Sequence, residues 1–390
     1  MTRRNFVAFG AALPALASQQ PSFALIGAGN RGRGVAAAFA QLGARCLALC
    51  DVYEPHLQLA RERLGAGAKL LTNYREALDR KDIDFVVIAT PDHHHCPMLL
   101  DSLAANKDVY LEKPLSMSLE ESDRMVKAVR ATNRIVQIGM QRRSMQFIHR
   151  ARNLIAGGAL GRVSLVKALW NWHFDLPLDN SPLPGKLDWE RFQGNAPKRP
   201  LEPRRFRWWR GFWDYSGGNM TDQGTHLMDV VQWMMNSGAP TSAVCQGRVH
   251  EITGAEVPNV FTAVFEYPDF LATWTLNYRS SYEHDWSITF QGEKATMFMD
   301  RRGLRIIADE GLSPEPWRQK PSHTVTLEIP DTDNPNAHMK NFLDCLDSRQ
   351  EPNCPIEVAA AAVAGPHMAN LAYKQRRRID KNDNYENGTA

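Results

Sequence analysis

Beyond its first twenty residues the 390-residue chain has no apolar run near the ~20 residues that a helix needs to cross a bilayer, which excludes a membrane-spanning helix from its body. Net charge is also scarce. Forty-six Lys and Arg stand against 43 Asp and Glu, a formal +3, and losing Arg3 and Arg4 with a leader would bring this to about +1. So even a balance argues against nucleic acid as a partner. The six cysteines, at 46, 50, 96, 245, 345 and 354, lack zinc-like spacing. Cys46 and Cys50 fall in one predicted strand, too far apart to bridge, so the cysteines read as small buried hydrophobes. What remains is ordinary globular composition: 43% hydrophobic residues, enough for a core, and a length that suggests two domains.

The chain opens Thr2-Arg3-Arg4-Asn5-Phe6, followed by a short run of apolar and small residues from Phe6 to Ala17. Ala15-Leu16-Ala17 fits an A-x-A cleavage site, and Pro14 lies inside the run. Residues 1–17 therefore read as a twin-arginine signal for export in the folded state, placing the protein in the periplasm or another extracytoplasmic compartment. The plainer alternative is an amphipathic or disordered N-terminus.

Phe23 to Ile26 is an apolar run that ends in Gly27-Ala28-Gly29-Asn30-Arg31-Gly32, and a helical stretch from Gly34 to Leu42 follows. Leu47 to Cys50 is a second run, closed by Asp51. Strand, glycine turn, helix, strand and acid form the context in which G-x-G-x-x-G binds a dinucleotide. Gly27 permits the tight turn, Gly29 the approach of the pyrophosphate, and Gly32 close helix–strand packing. Asn30 and Arg31 complete the loop at the helix N-terminus, which attracts phosphate. Asp51 would accept hydrogen bonds from the adenosine ribose and repel a 2′-phosphate, so NAD is preferred to NADP. Residues 18–142 thus read as a Rossmann domain, a doubly wound parallel sheet of α/β class. Further strands are predicted at Asp84–Ala89, ending at Thr90-Pro91, and at Val109–Leu111, leading into Glu112-Lys113-Pro114, with a helix between them over Pro97–Ala105.

Ala89-Thr90-Pro91 with His95, the intervening helix, and Glu112-Lys113-Pro114 together resemble the Gfo/Idh/MocA oxidoreductases. The resemblance continues through Gly139-Met140-Gln141-Arg142 and into the second half. It departs at Asn106-Lys107, where the family has Gly-Lys; Asn is the next-best residue for a left-handed cap. By resemblance Lys113 transfers a proton to or from a sugar hydroxyl at the sheet edge, where the nicotinamide would lie. Thr90, Pro91, His95, Glu112 and Gln141 then lie around the cofactor and Arg142 beside the substrate. His93-His94-His95 tempts a metal reading, but three consecutive side chains diverge and cannot share one ion, so no metal is expected.

Residues 143–378 read as a second, α+β domain with a large, mostly antiparallel, open sheet. A helix is predicted over Phe147–Ala156. Ser164 to Phe174 alternates, with Val166, Ala168, Trp170, Trp172 and Phe174 on one face and Lys167, Asn171 and His173 on the other. Strands follow at Asn259–Tyr267 and Phe270–Arg279, with a hairpin of Ser287–Phe290 and Thr296–Met299. One sheet face should pack on helices and leave the other for substrate or a partner subunit; the resemblance implies a homodimer or homotetramer. Gly217-Gly218 precedes a helix on which Asp222 and His226, four apart, share a face. Read alone, these are an acid favourable to the helix dipole and a core histidine. By resemblance they join Lys113, with His226 as acid/base and Asp222 orienting hydroxyls. The segment Arg204 to Trp213 interleaves basic and aromatic residues suited to a sugar, and Trp209-Arg210 matches the family's Trp-Arg; Trp172 and His173 are further substrate candidates. Residues 180–203 read as a long loop over the site, Pro355–Arg378 as a final amphipathic helix, and 379–390 as a polar tail.

The function expected is NAD-dependent oxidation or reduction of a carbohydrate, with the cofactor tightly held and recycled in place. The alternative, which some exported relatives imply, is glycoside hydrolysis by transient oxidation, elimination, hydration and re-reduction. That route needs no glycosidase carboxylate pair. A non-catalytic sugar-binding role is the third reading.

Overall fold

The computed structural model describes residues 20–173, 178–250, 254–309, 311, 313–318, 320 and 324–383. The expected twin-arginine leader, residues 1–17, and residues 384–390 of the expected tail lie outside the described residues.

Short apolar runs become the strands of a six-stranded sheet: β1 (Ser22–Ile26), β2 (Arg45–Cys50), β3 (Lys69–Leu71), β4 (Phe85–Ile88), β5 (Asp108–Leu111) and β6 (Val136–Ile138). Every pair is parallel, in the order β3-β2-β1-β4-β5-β6. Continuous apolar runs suit this architecture, because helices cover both faces of a parallel sheet. The helices are α1 (Asn30–Gln41), α2 (Glu54–Leu64), α3 (Arg75–Leu78), α4 (His95–Ala104) and α5 (Leu119–Arg130). Strand order reverses between β1 and β4, which opens a crevice at the carboxyl ends of the strands. Asn106 takes the left-handed conformation (φ 58°) that the departure from glycine demanded.

The second sheet has nine strands: β7 (Val163–Asn171), β8 (Ser242–Arg248), β9 (Val260–Glu266), β10 (Leu271–Asn277), β11 (Asp285–Gly292), β12 (Ala295–Asp300), β13 (Gly303–Ala308), β14 (Val325–Pro330) and β15 (Ile379–Asp380). Its order is β14-β13-β12-β11-β7-β10-β9-β8-β15, antiparallel except for the β7–β10 pair. The remaining helices are α6 (Gln146–Ala156), α7 (Trp189–Gln193), α8 (Pro203–Arg207), α9 (Gly218–Asp222), α10 (Gly224–Met234), α11 (Ala337–Ser348) and α12 (Ile356–Gln375). One sheet face packs on α6, α10 and α12 around Trp274, Phe265 and Phe290.

Several expectations need correction. The alternation along β7 stops at Asn171, which is buried because its side chain donates to the Tyr282 carbonyl (3.0 Å). Trp172 lies beyond the strand, and Phe174 is outside the described residues. Nor is α12 amphipathic. Residues 362 to 370 are buried all round, because a helix rich in alanine is slim enough to run along the seam between both domains. Its first half joins the core of the parallel sheet through Ile356, Ala359 and Val363, and its second half joins the other core through Met368 and Ala372. α11 also returns to the first domain, where Phe342 packs against Phe39, Phe85 and Tyr110. The change of sheet near residue 142 is therefore not a boundary between two continuous stretches of chain.

Candidate active site

The crevice and the second domain enclose a cleft of about 1330 Å³. Its floor is the glycine loop. Gly27 has φ 91°, and a Cβ there would lie 2.6 Å from the Ala89 carbonyl oxygen; one on Gly32 would lie 1.9 Å from that of Gly27. Gly29 is different: a Cβ there would meet nothing nearer than His56 at 4.0 Å, so the loop faces open space. No side chain caps the start of α1 and no acid lies in its first turn, which leaves that N-terminus available to an anion. Asp51 sits at the far side, its carboxylate accepting from the backbone N–H groups of Ala28 (2.7 Å) and Tyr53 (2.9 Å). Arg31 is held by buried Glu112 at 2.7 Å. Thr90 Oγ1, Gln141 Oε1 and His226 Nδ1 are buried polar atoms of cleft-lining residues without a hydrogen-bond partner among the described residues. Buried polar groups are normally paired. With the loop, the free helix end and Asp51, these are residues that would hold a dinucleotide.

Lys113 leaves the end of β5 and donates to Asp222 twice, to Oδ1 and to the main-chain carbonyl, each at 2.8 Å. Arg210 Nε lies 3.1 Å from the same Oδ1 and stacks over Trp209 at 4.0 Å. Burial opposes ionisation of Asp222, yet the Arg210 guanidinium and Lys113 ammonium hold its carboxyl well below the usual carboxylate range. Asp222 and His226 do not share one continuous helix as predicted. The helix breaks at Gln223, and the freed Asp222 carbonyl turns to Lys113. His226 stands three residues into α10; burial, reinforced by Lys113 and Arg142, lowers its pKa far enough to leave the imidazole neutral.

Gly27, Gly29, Asn30, Arg31, Asp51, Thr90, Pro91, Glu112, Lys113, Gln141, Trp209, Arg210 and His226 all line the cleft. His95 does not. Its Nδ1 is 2.7 Å from the Pro114 carbonyl oxygen and its Nε2 is 3.1 Å from that of Thr90, so it braces the two loops that carry Thr90 and Lys113. Arg142 is also elsewhere, over Trp286 at 4.2 Å and Trp170 at 5.4 Å, where burial and then Arg301 lower its pKa to about 9. Trp172 stacks on Tyr278 and His173 is exposed, both away from the cleft wall. His93 and His94 both reach the Phe192 carbonyl at 2.8 Å, bonding the domains together. Among the described residues no group of three His, Cys, Asp or Glu side chains is placed to hold a metal ion.

Within the segment expected as a long loop over the site, residues 180–203, the structure shows a definite contact, and one further feature escaped the sequence reading. Residues 183–195 form a strap over the Asp51 side of the cleft. Glu54 N–H donates to the Lys186 carbonyl (2.9 Å) and Asp188 N–H to that of Val52 (2.8 Å), while the Tyr53 hydroxyl reaches Pro184. The feature that escaped is Asp92, a buried carboxyl on the cleft wall, at one of the positions that the resemblance leaves unspecified between Pro91 and His95.

Residues 22–140 match the family model described as an oxidoreductase family with an NAD-binding Rossmann fold, and residues 148–298 match the GFO/IDH/MocA C-terminal domain. Inositol 2-dehydrogenase of Salmonella typhimurium (strain LT2) is 30% identical over 125 residues, 32% of this chain and 37% of that enzyme's length. Glycosyl hydrolase family 109 protein 1 of Shewanella sp. (strain ANA-3) is 32% identical over 120 residues, 28% of this chain and 26% of its own. The WlbA dehydrogenase of Bordetella pertussis, solved with NADH and UDP-GlcNAcA, superposes with a TM-score of 0.70 at 20% identity, over 94% of this chain and 100% of that one. Both domains and their order agree: the chain belongs to the Gfo/Idh/MocA oxidoreductase family, with an NAD-binding Rossmann domain.

Proposed function

We propose that the protein is an NAD-dependent oxidoreductase of a sugar or related polyol that keeps its cofactor bound between half-reactions. The observation that carries this is Lys113, pinned by Asp222 and Arg210 at the cleft end of β5, with neutral His226 beside the same space. NAD bound there supplies the hydride acceptor and donor. Lys113 holds the proton at the substrate hydroxyl, and Asp222 keeps the ammonium aimed. His226, neutral and unpaired at Nδ1, can accept a proton or a hydrogen bond. Trp209 and Arg210, which line the same cleft, suit a sugar, an aromatic face for C–H groups and a guanidinium for hydroxyls. The strap beside Asp51 supports retention, because its bonds to residues 52–54 lie across the side of the cleft where the adenosine is expected.

Retention also favours a second reading, glycoside cleavage through a transiently oxidised sugar, to which the likeness to the Shewanella glycosyl hydrolase adds weight. The leader at residues 1–17 makes export of the folded, loaded protein part of the same proposal, testable by locating the protein in cell fractions with and without Arg3-Arg4. The outer face of the large sheet, where Val244 and Leu271 are 42% and 45% exposed, is proposed as the contact between subunits of a homodimer or homotetramer; light scattering tests this.

The deciding experiment denatures purified protein and measures released NAD, then offers aldoses, polyols and aryl glycosides without added cofactor. Stoichiometric NAD with sugar-to-sugar redox is the expected result; aryl release establishes the second reading. Protein free of NAD that turns over only with added cofactor would overturn retention. Lys113→Met should lower kcat about 10²–10⁴-fold while NAD remains bound, the contribution of proton transfer by a positioned group.

A further inference from the structure

We propose that Asp92 is a further positioning residue of this site, one that sets the place of Asp222, and so of Lys113, according to whether it carries a proton. The inference rests on the reading that Lys113 and Asp222 act on the substrate. Asp92 belongs to the loop after β4, on the cofactor side of the cleft, and is 1% exposed. Its Oδ2 accepts from the Ser216 hydroxyl at 2.7 Å, and Ser216 Oγ accepts from the Gly218 N–H at 2.9 Å. Gly218 is the first residue of α9, and Asp222 is its last. Two hydrogen bonds therefore link a carboxyl of the first domain to a five-residue helix of the second whose far end holds Lys113. The adjacent backbone bond from His93 N–H to the Tyr215 carbonyl, at 3.3 Å, keeps the two loops in register.

The charges around Asp92 make this link sensitive to pH. Arg210 and Lys113 favour its ionised form, as does the Ser216 hydrogen bond; Asp222 opposes it. Burial outweighs them and pushes the Asp92 carboxyl up to about 7. Asp222, in the same cluster, is driven the other way. Two carboxyls with ionisations forced apart divide the labour: one remains a charged partner for the cations, and the other is protonated near neutrality. With Asp92 protonated, Arg210 and Lys113 share a single carboxylate. When Asp92 ionises, it competes with Asp222 for Arg210, and the hold of α9 on Lys113 loosens.

The test needs no substrate, so its failure is separable from failure of the oxidoreductase reading. Full-length protein is titrated from pH 5.5 to 9 by infrared difference spectroscopy, and hydrogen exchange is followed in the peptide containing residues 216–222. Wild-type protein should lose a protonated-carboxyl band near pH 7, and Asp92→Asn should lack that band. After correction for intrinsic base catalysis, exchange in this peptide should rise about three- to tenfold across pH 7 in the wild type and stay flat in Asp92→Asn. Ser216→Ala, which breaks the link while leaving the Asp92 carboxyl in place, should raise exchange about tenfold at every pH. A carboxyl band unchanged by Asp92→Asn, or the same pH-dependent exchange in both proteins, would overturn the proposal.

Discussion

Replacing Gly185 with Val should loosen the grip on the cofactor without touching the glycine loop or Lys113. Gly185 has φ 76°, and a Cβ there would lie 2.7 Å from Pro55 Cγ and 2.9 Å from its Cδ. A β-branched residue tolerates neither: the left-handed conformation costs roughly 1–2 kcal/mol, and the proline ring, closed onto its own backbone, cannot swing aside as a flexible side chain would. The strap would have to lift from residues 52–55, giving up the Glu54–Lys186 and Asp188–Val52 backbone bonds and the Tyr53–Pro184 contact. At about 1 kcal/mol net for each bond the loss is about 3 kcal/mol. Since 1.4 kcal/mol is a factor of ten, NAD should dissociate about 100-fold faster if the strap is the barrier to release. Stopped-flow displacement of bound NADH, followed by its fluorescence, gives the rate, and circular dichroism checks that the variant is folded. A folded variant that releases NADH at the wild-type rate would refute the strap as the retaining element.

Phe342→Ala removes a fully buried ring lying 5.2 Å from Phe85 and 5.8 Å from Phe39, and should cost about 3–5 kcal/mol, read as a lower midpoint in urea. An unchanged midpoint would mean that α11 is not part of the first core. The two cleft carboxyls should shape stability against pH in opposite senses. Asp222, depressed in the folded state, contributes stability above the unfolded carboxylate range, and this is lost as pH falls through and below that range. Asp92, raised to about 7, lowers stability as pH rises from the unfolded carboxylate range toward 7. Asp92→Asn should therefore be more stable than the wild type at pH 8 and gain nothing at pH 4. Asp222→Asn should lose about 3–5 kcal/mol at pH 7, because it strands Lys113 and Arg210, and less in acid. Thermal melts at pH 4 and 8 check both signs.

The first domain was legible because its signals are local. Phe23–Ile26 and Asp84–Ala89 are continuous apolar runs, and the glycine loop stands between strand and helix in the required order. The loop-facing geometry of Asp51 and the place of Lys113 at a strand end followed from that order. β14 escaped notice because it is the edge strand of its sheet, largely exposed, and its apolar pattern fades. α12 was misread because its alanines carry no amphipathic signature, although small side chains are what permit burial on every side. Arg142 and Trp172 were placed beside the substrate by motif alone, while the packing of Trp170, Trp286 and Tyr278 decides where they point. Asp92 lay in plain view between Pro91 and His93, but its burial depends on Ser216, 124 residues away.

The return of α11 and α12 to the parallel sheet bears on how the molecule is made. Strands β1 to β6 emerge from the ribosome first, yet the side chains that seal both faces of their sheet arrive with residues 339–363, after the whole of the large sheet except β15. Domains usually fold as units during synthesis, the N-terminal one first. Here the nucleotide-binding half lacks part of both its cores until the chain behind it has been synthesised. A fragment ending at residue 142 should therefore be less stable than the same segment within the full chain, because it exposes the surface that residues 339–363 cover.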